Sequence, residues 1–417
     1  MPDTDIPRDG SLDATLDLLR DGYGFISKRC RRFGSDVFAT RLMLRPAICM
    51  QGEEAARVFY EPGRFTRRRA LPPNTLALLQ DWGSVATLDG EAHRHRKAMF
   101  MSLMTPDAVR RLGDLFEEQW RARLPAWERM DRVVLADETQ RIITRAVCAW
   151  AGIPLSEPEA EERTRELAAM FEGAGSVGPR NWRGLALRAR TERWARGLIG
   201  RVRDGSLAVP EDRALAVVAR HRDLNGELLS LKTAGVELIN ILRPTVAMER
   251  FITYAALALH QHPECRDPAR TDDAYRAMFV QEVRRLYPFF PIVAGRVRTP
   301  FDWRGHRFAE GAWVILDLHG TDHDPRLWKD PDRFRPDRFR QWDGNPHALI
   351  PQGGGDHHLN HRCPGEWATI ELMKRAIRLL TAAMTYEVPD QDLTIDTGRM
   401  PAVPKSRFVI AGVRAVS

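Results

Sequence analysis

A mainly α-helical protein with small β-sheets is what this sequence predicts, and three features carry the prediction. From Asp89 to about Glu172 apolar residues recur at helical spacing through successive segments, and another such segment runs from Arg183 to Asp204. Glu227 to Gln261 reads as one helix of about 35 residues, well beyond the usual length of about 11–12. Only short stretches alternate: Val37 to Met50 as a strand pair, then Val293 to Arg298 and Trp313 to Leu316.

The remaining elements follow from caps and breakers. Ser11 is placed to cap a first helix running to about Arg32. Pro244, inside the long helix, removes a backbone donor and should kink it. Asp272 to Tyr287 forms another helix, stopped by Pro288 and Pro291. A loop rich in Gly, His and Pro runs from Pro325 to Pro364, and a last helix spans about Glu366 to Met384. No repeat, low-complexity linker or composition break divides the 417 residues, so residues 1–417 read as one unit.

Composition narrows the function. At 43% hydrophobic and 29% charged, the chain is that of a soluble globular protein with core enough to enclose a cofactor. The net charge of +7 comes almost wholly from arginine, since only 6 of 63 cationic residues are lysine. These arginines are spread out, with no basic block interleaved with aromatics, which reads as a composition bias and not as a nucleic-acid stripe, and leaves an acidic substrate open. No apolar run suits a secretory leader or a membrane anchor. Cys30, Cys49, Cys148, Cys265 and Cys363 are odd in number and form no CxxC pair, which argues against a disulfide framework or a zinc site. A cytoplasmic location is expected.

The most informative segment is Pro351-Gln-Gly-Gly-Gly followed by His361-Arg-Cys-Pro-Gly-Glu-Trp367. Cys363 precedes a helix, whose positive end favours thiolate. Gly365 lets the backbone approach a flat ligand. A thiolate on haem iron promotes O–O cleavage. Taken alone, the segment also suits a buried structural cysteine.

Glu282 and Arg285, three apart, share a helical face, and Pro336-Asp337-Arg338-Phe339 lies between them and the cysteine loop. A lone Glu-x-x-Arg is usually a surface pair. In this order and spacing the three motifs resemble the cytochrome P-450 superfamily, and the resemblance covers essentially the whole chain. It implies a triangular helical prism with small sheets enclosing haem b, ligated by Cys363. It also implies that Glu282, Arg285 and Arg338 form an ionic network under the haem loop. His93 and Lys97, four apart on one helical face, then stand where the superfamily binds haem propionates, with Arg67 and Arg296 as further candidates. A solvated basic face is the alternative, because His95 and Arg96 lie among them.

The long helix departs from the usual monooxygenase pattern. It reads Asn240-Ile-Leu-Arg243-Pro244-Thr-Val-Ala247, with no acid beside Thr245. A buried guanidinium without a partner costs several kcal/mol, so Arg243 needs a carboxylate. Either an internal acid supplies it, Glu237 and Glu249 being on the same helix, or a substrate does, held by the planar fork of the guanidinium. The Arg243-Pro244 pair and Gln281-Glu-Val-Arg-Arg-Leu-Tyr-Pro-Phe-Phe-Pro291 resemble the bacterial fatty-acid peroxygenases, and among them the α-hydroxylating members.

That resemblance implies a substrate-assisted reaction. Arg243 holds a fatty-acid carboxylate, which takes a proton from hydrogen peroxide and returns it to the departing oxygen. No reductase is obligatory. The implied apolar tunnel draws on Trp82, Val85, Ala86, Phe171, Val246, Phe289 and Phe290, each of which also suits ordinary core. Relatives carry glutamine or histidine where Ala86 aligns, and tend to have glycine in place of Asn360. The main expected product is the 2-hydroxy acid with some 3-hydroxy acid. The alternatives are decarboxylation to a terminal alkene, a redox-partner-dependent monooxygenase of another carboxylic acid, and a non-catalytic binder of haem or fatty acid.

Overall fold

The computed structural model describes residues 6–416. Helices dominate, and the sequence locates most of them. Gly90–Ser102, Pro106–Trp127, Leu135–Ala151 and Glu157–Gly173 occupy the stretch read as successive helices, and Pro179–Arg203 follows. The main apolar core lies among these helices, Glu249–Gln261 and Glu366–Arg378, around Phe116, Trp120, Trp127, Phe251 and Leu372.

A five-stranded sheet stands to one side. Its order is Val37–Leu42, Arg45–Gln51, Trp313–Asp317, Ile292–Val297, Phe65–Thr66. The first two strands form the expected antiparallel pair, Val37 opposite Met50. Arg45–Gln51 runs parallel to Trp313–Asp317, although more than 250 residues separate them in sequence, with Ile48 opposite Val314. Two smaller sheets were not evident from sequence: Phe301–Trp303 with His306–Phe308, and Val409–Ala415 between Val133–Val134 and Met384–Glu387.

Three expectations are corrected. The first helix is two, Thr15–Asp21 and Phe25–Phe33, separated by a turn at Gly22. Gly22 has φ +52°, and a Cβ there would lie 1.8 Å from the Thr397 carbonyl oxygen, so the chain reverses where only glycine fits. Ser11 does not cap; its hydroxyl donates to Asp9, and Asp13 accepts from the Thr15 amide at 3.0 Å. The long helix begins at Leu231, with Ser230 accepting from the Thr233 amide, and divides into Leu231–Val246 and Glu249–Gln261. The division falls three residues after Pro244, at Ala247 and Met248, so the proline itself stands inside a continuous helix. The last helix is as expected: Glu366–Arg378 continues as a wider π-helical turn, Leu379–Ala383, up to the strand that starts at Met384.

Candidate functional site

The loop before Glu366–Arg378 is held by two buried ionic networks. In the first, Glu282 is fully buried and accepts from Arg285 Nε and Nη2, each at 2.8 Å, from Arg338 Nε at 3.1 Å and from the Arg335 amide at 2.8 Å. Arg285 also donates to the carbonyls of Asp322 and Pro331. The three residues picked out by motif spacing therefore meet in one cluster, in which every charge has a partner. The second network was missed. Glu366 pairs with Arg284, with Arg362 at 2.7 Å and with His357 at 2.9 Å. Burial opposes its charge, but Arg284, His357 and Arg362 hold its carboxyl well below the usual range. Arg284 beside Arg285 and Glu366 three residues after the cysteine were its only sequence signals.

Between these networks lies Cys363, the one cysteine of the five that is not fully buried. Its amide donates to the Gln352 carbonyl at 3.0 Å, and the Gln352 side-chain amide lies 3.8 Å from its sulfur. The helix-end expectation of a ready thiolate needs correction. Burial raises the thiol pKa, and the Gly365 amide and Lys97 oppose that only in part. Such a thiol is deprotonated by a metal cation. A Cβ on Gly365 would find nothing nearer than 3.6 Å, and its near neighbours are Met248 and the Cys363 sulfur, so this face is open to a flat group.

Beside the thiol the structure gathers basic side chains. The His93 and His361 rings lie 3.9 Å apart. Burial, Lys97 and Arg67 push His93 down to about 4; burial, Arg67 and His93 hold His361 well below its ordinary range. No carboxylate contributes to either. Arg67 is half-buried, donating to the Ala294 carbonyl at 2.6 Å and covering the Phe59 ring. Two imidazoles and a guanidinium that form no salt bridge among the described residues fit the two propionates of haem b, so the donor set suits that group. Lys97 and Arg296 sit differently from expectation. Lys97 donates to the carbonyls of Asn360 and Arg362, which ties the cysteine loop to helix Gly90–Ser102. Arg296 is spent on the carbonyls of Arg69 and Gly311, away from the thiol. His361, not singled out from sequence, takes the place beside His93.

Arg243 projects from Leu231–Val246 into the same region. It is 6% exposed, donates to the Leu79 carbonyl, and leaves its Nε without a partner. Burial pushes its pKa down to about 9, Arg188 adds repulsion, and the Cys363 sulfur pulls the other way. Both internal acids are occupied elsewhere. Glu237 accepts from Arg96 at 2.9 Å, from the Val85 amide at 2.8 Å and from Asn240 at 3.1 Å. Glu249 pairs with Arg250 and accepts from Gln140 at 3.2 Å. The internal-acid alternative is thereby removed.

A cavity of about 410 Å³ runs from the surface to this region, and Ala86, Phe171, Phe289, Phe290, Ala247 and His361 are among its walls. Four of the seven tunnel candidates therefore line it. The other three do not: Val246 is fully buried and Val85 partly buried in the main core, and Trp82 is 56% exposed because the Asp81–Gly83 turn directs it outward.

The comparisons with known proteins agree with this arrangement. The family model described as Cytochrome P-450 matches residues 257–391. A curated relative, "Putative cytochrome P-450 120" of Synechocystis sp., is 28% identical over 92% of this chain and 90% of its own. Solved structures are nearer. Cytochrome P-450SP alpha (CYP152B1) in complex with (R)-ibuprophen is 48% identical, covers 97% of this chain and 99% of its own, and superposes with a TM-score of 0.95. Cytochrome P-450EX alpha (CYP152N1) with myristic acid is 42% identical over 99% of both chains, TM-score 0.96. Cytochrome P-450 OleT in complex with arachidonic acid is 35% identical over 99% of both, TM-score 0.96. The chain belongs to the cytochrome P-450 family, and is accordingly a haem-thiolate oxidoreductase with that family's fold and haem b as its cofactor. Within the family its likeness is to the CYP152 members, the branch that the motifs around Arg243 and Cys363 resemble.

Proposed function

We propose that this protein is a hydrogen-peroxide-dependent fatty-acid hydroxylase, acting mainly at the carbon next to the carboxylate of long-chain acids. The observation that carries the reading is Arg243: a buried guanidinium with no internal carboxylate, beside the thiol and near the inner end of an apolar cavity. That the solved relatives named above hold myristic and arachidonic acid supports the substrate class.

In this reading Cys363 ligates the haem, His93, His361 and Arg67 receive its propionates, and Glu282, Arg285 and Arg338 hold the loop that carries the ligand. The haem, when bound, supplies the redox chemistry that cleaves peroxide and oxidises carbon. Arg243 binds the substrate carboxylate through its fork and so sets which carbon faces the iron. The same carboxylate, fixed and screened from bulk water by Phe289 and Phe290, takes the proton of peroxide and gives it back to the departing oxygen, which leaves as water. Pro244, inside the same helix, leaves the turn after Arg243 without one backbone donor, one turn ahead of the division at Ala247 and Met248. The proposal carries the expectation of a cytoplasmic enzyme with no obligatory reductase.

The test is turnover of a saturated long-chain acid against its methyl ester. With peroxide alone the acid should be hydroxylated and the ester left essentially untouched, while a short acid should restore oxidation of an unrelated small molecule. Ester oxidation at the rate of the acid would sink the proposal. Turnover that required NADPH and a reductase would favour the monooxygenase alternative instead.

A further inference from the structure

The outer end of the 410 Å³ cavity opens between two lips. One is the helix Thr15–Asp21 with the turn at Met43 and Leu44; Thr15, Leu18, Leu19 and Met43 line the opening. The other is the segment around Ser176 and Val177, backed by Met400 and leading into helix Pro179–Arg203. The first lip is rigidly joined: the Met43 amide donates to Thr15 Oγ1 and the Leu44 amide to Asp13, both at 2.6 Å.

Large apolar side chains crowd this rim and face water. Leu12, Leu16, Leu44, Val177 and Trp182 are each between 66% and 91% exposed. Single exposed leucines are ordinary, but several around one cavity mouth mark an interaction surface. Positive charge frames the same rim. Arg41, Arg45 and Arg69 stand on the first side, and Arg180, Arg183 and Arg399 on the second. Among the described residues none of the six forms a salt bridge; Arg180 feels Arg399 as a like charge and Glu172 as an opposite one, Arg41 acts on Asp13 from a distance, and Arg296 feels Arg45 and Arg69. The nearby acids are engaged: Asp17 and Asp21 with Arg29, Asp13 with the Thr15 and Leu44 amides, Asp396 with the Gly398 amide.

Exposed aliphatic tips and a tryptophan among arginines that form no salt bridge match the chemistry of an anionic bilayer. Tips and indole enter the headgroup boundary while the guanidinium groups meet lipid phosphates. We infer that the protein docks reversibly on an anionic lipid surface through the Leu12–Leu16–Leu44 and Val177–Trp182 lips, placing the cavity mouth against the membrane so that free fatty acid passes from the lipid into the enzyme. The inference rests on the fatty-acid reading above for its purpose, though not for its surface chemistry. An acidic acyl-carrier protein would also meet the arginines. It would deliver a thioester, however, which has no carboxylate for Arg243, and it would not need five exposed apolar tips.

The experiment is flotation of the haem-loaded protein with vesicles of phosphatidylcholine, with and without phosphatidylglycerol. The protein should float with the anionic vesicles at low salt, and bind about tenfold or more weakly to neutral vesicles or at high salt. Leu16→Asp combined with Leu44→Asp should weaken binding to anionic vesicles about tenfold, with oxidation of a small molecule in the presence of a dissolved short acid unchanged, because neither residue lines the cavity. Leu44 lies at φ +61°, which aspartate accepts readily. Arg45→Glu with Arg183→Glu provides a second, charge-reversing variant with the same expected loss. Equal flotation with neutral vesicles, no flotation at all, or full binding by both variants would overturn the inference. A protein that oxidises fatty acid without floating defeats the docking surface alone. One that floats and oxidises no fatty acid defeats the proposed function and leaves the surface standing.

Discussion

Glu237 and Arg243 lie six residues apart on one helix and do not pair. The carboxylate of Glu237 is taken by Arg96 at 2.9 Å and by the Val85 amide at 2.8 Å, and Asn240 completes its shell. Arg243 is left with one carbonyl partner and an orphaned Nε. A buried cation in that state favours any carboxylate able to reach it; Arg243 is not itself on the cavity wall, but Leu79, whose carbonyl it holds, and Ala247, one turn along its helix, both are.

Replacing that cation tests the anchor directly. Arg243→Ala should retain haem and fold yet lose about 100- to 10,000-fold in peroxide-driven turnover of a long-chain acid, since both positioning and the proton-carrying carboxylate go. Arg243→Lys should recover little, because a point charge cannot reproduce two parallel hydrogen bonds. Product formation against haem content measures both, and wild-type turnover in Arg243→Ala would refute the anchor.

The thiolate should respond to the one side-chain donor that the described residues place beside it. Gln352 Nε2 lies 3.8 Å from the Cys363 sulfur and 3.0 Å from Thr369 Oγ1. Gln352→Leu removes that donor, so the sulfur becomes more electron-rich and the haem potential should fall by on the order of tens of millivolts. Spectroelectrochemistry reads the shift, and the ferrous carbon monoxide spectrum shows whether thiolate ligation survives. An unchanged potential would mean that the contact carries no interaction. Cys363→Ala should abolish the thiolate-type spectrum entirely.

The product should be mainly the 2-hydroxy acid, with terminal alkene minor. The two carbons beyond the anchored carboxylate compete, and a displacement of about 1 Å can alter rates about 100-fold. Ala86 lines the cavity and can neither donate nor accept a side-chain hydrogen bond. Ala86→His should therefore raise the alkene share. Mass spectrometry of the products of a long saturated acid decides, and alkene as the dominant wild-type product would count against the assignment.

Acid should destabilise the fold through buried histidines. Burial and Arg285 hold His323 down at about 4, and burial, His323 and Arg285 hold His319 well below its ordinary range; their rings lie 4.1 Å apart. The unfolded chain takes up these protons near pH 6.5 and the folded one does not, so stability is full above about 6.5 and is lost as pH falls from there toward 4. Each proton contributes at most about 1.4 kcal/mol per pH unit. Buried Asp317, pushed up to about 7, works in the opposite sense. Melting temperature should drop between pH 7 and 5, and His319→Gln with His323→Gln should make the drop smaller. An identical drop in the variant would show that the acid sensitivity lies elsewhere.

Local pattern determined much of this protein. Apolar residues at helical spacing located the helices from Gly90 to Arg203, because burial of one face depends only on nearby residues. Motif order placed Cys363 and brought Glu282, Arg285 and Arg338 into one network, which the structure realises at 2.8 to 3.1 Å. Only the tertiary structure decided the rest, since pairing among charges and the walls of a cavity depend on residues far apart in the chain. Arg96 lies 141 residues before the glutamate it occupies, and that contact is what leaves Arg243 unpaired. His361 meets His93 across 268 positions while Lys97 turns to loop carbonyls. Trp82, apolar in sequence and expected in the tunnel, faces solvent, because the direction of a side chain from a turn is set by the packing around it and not by its own character.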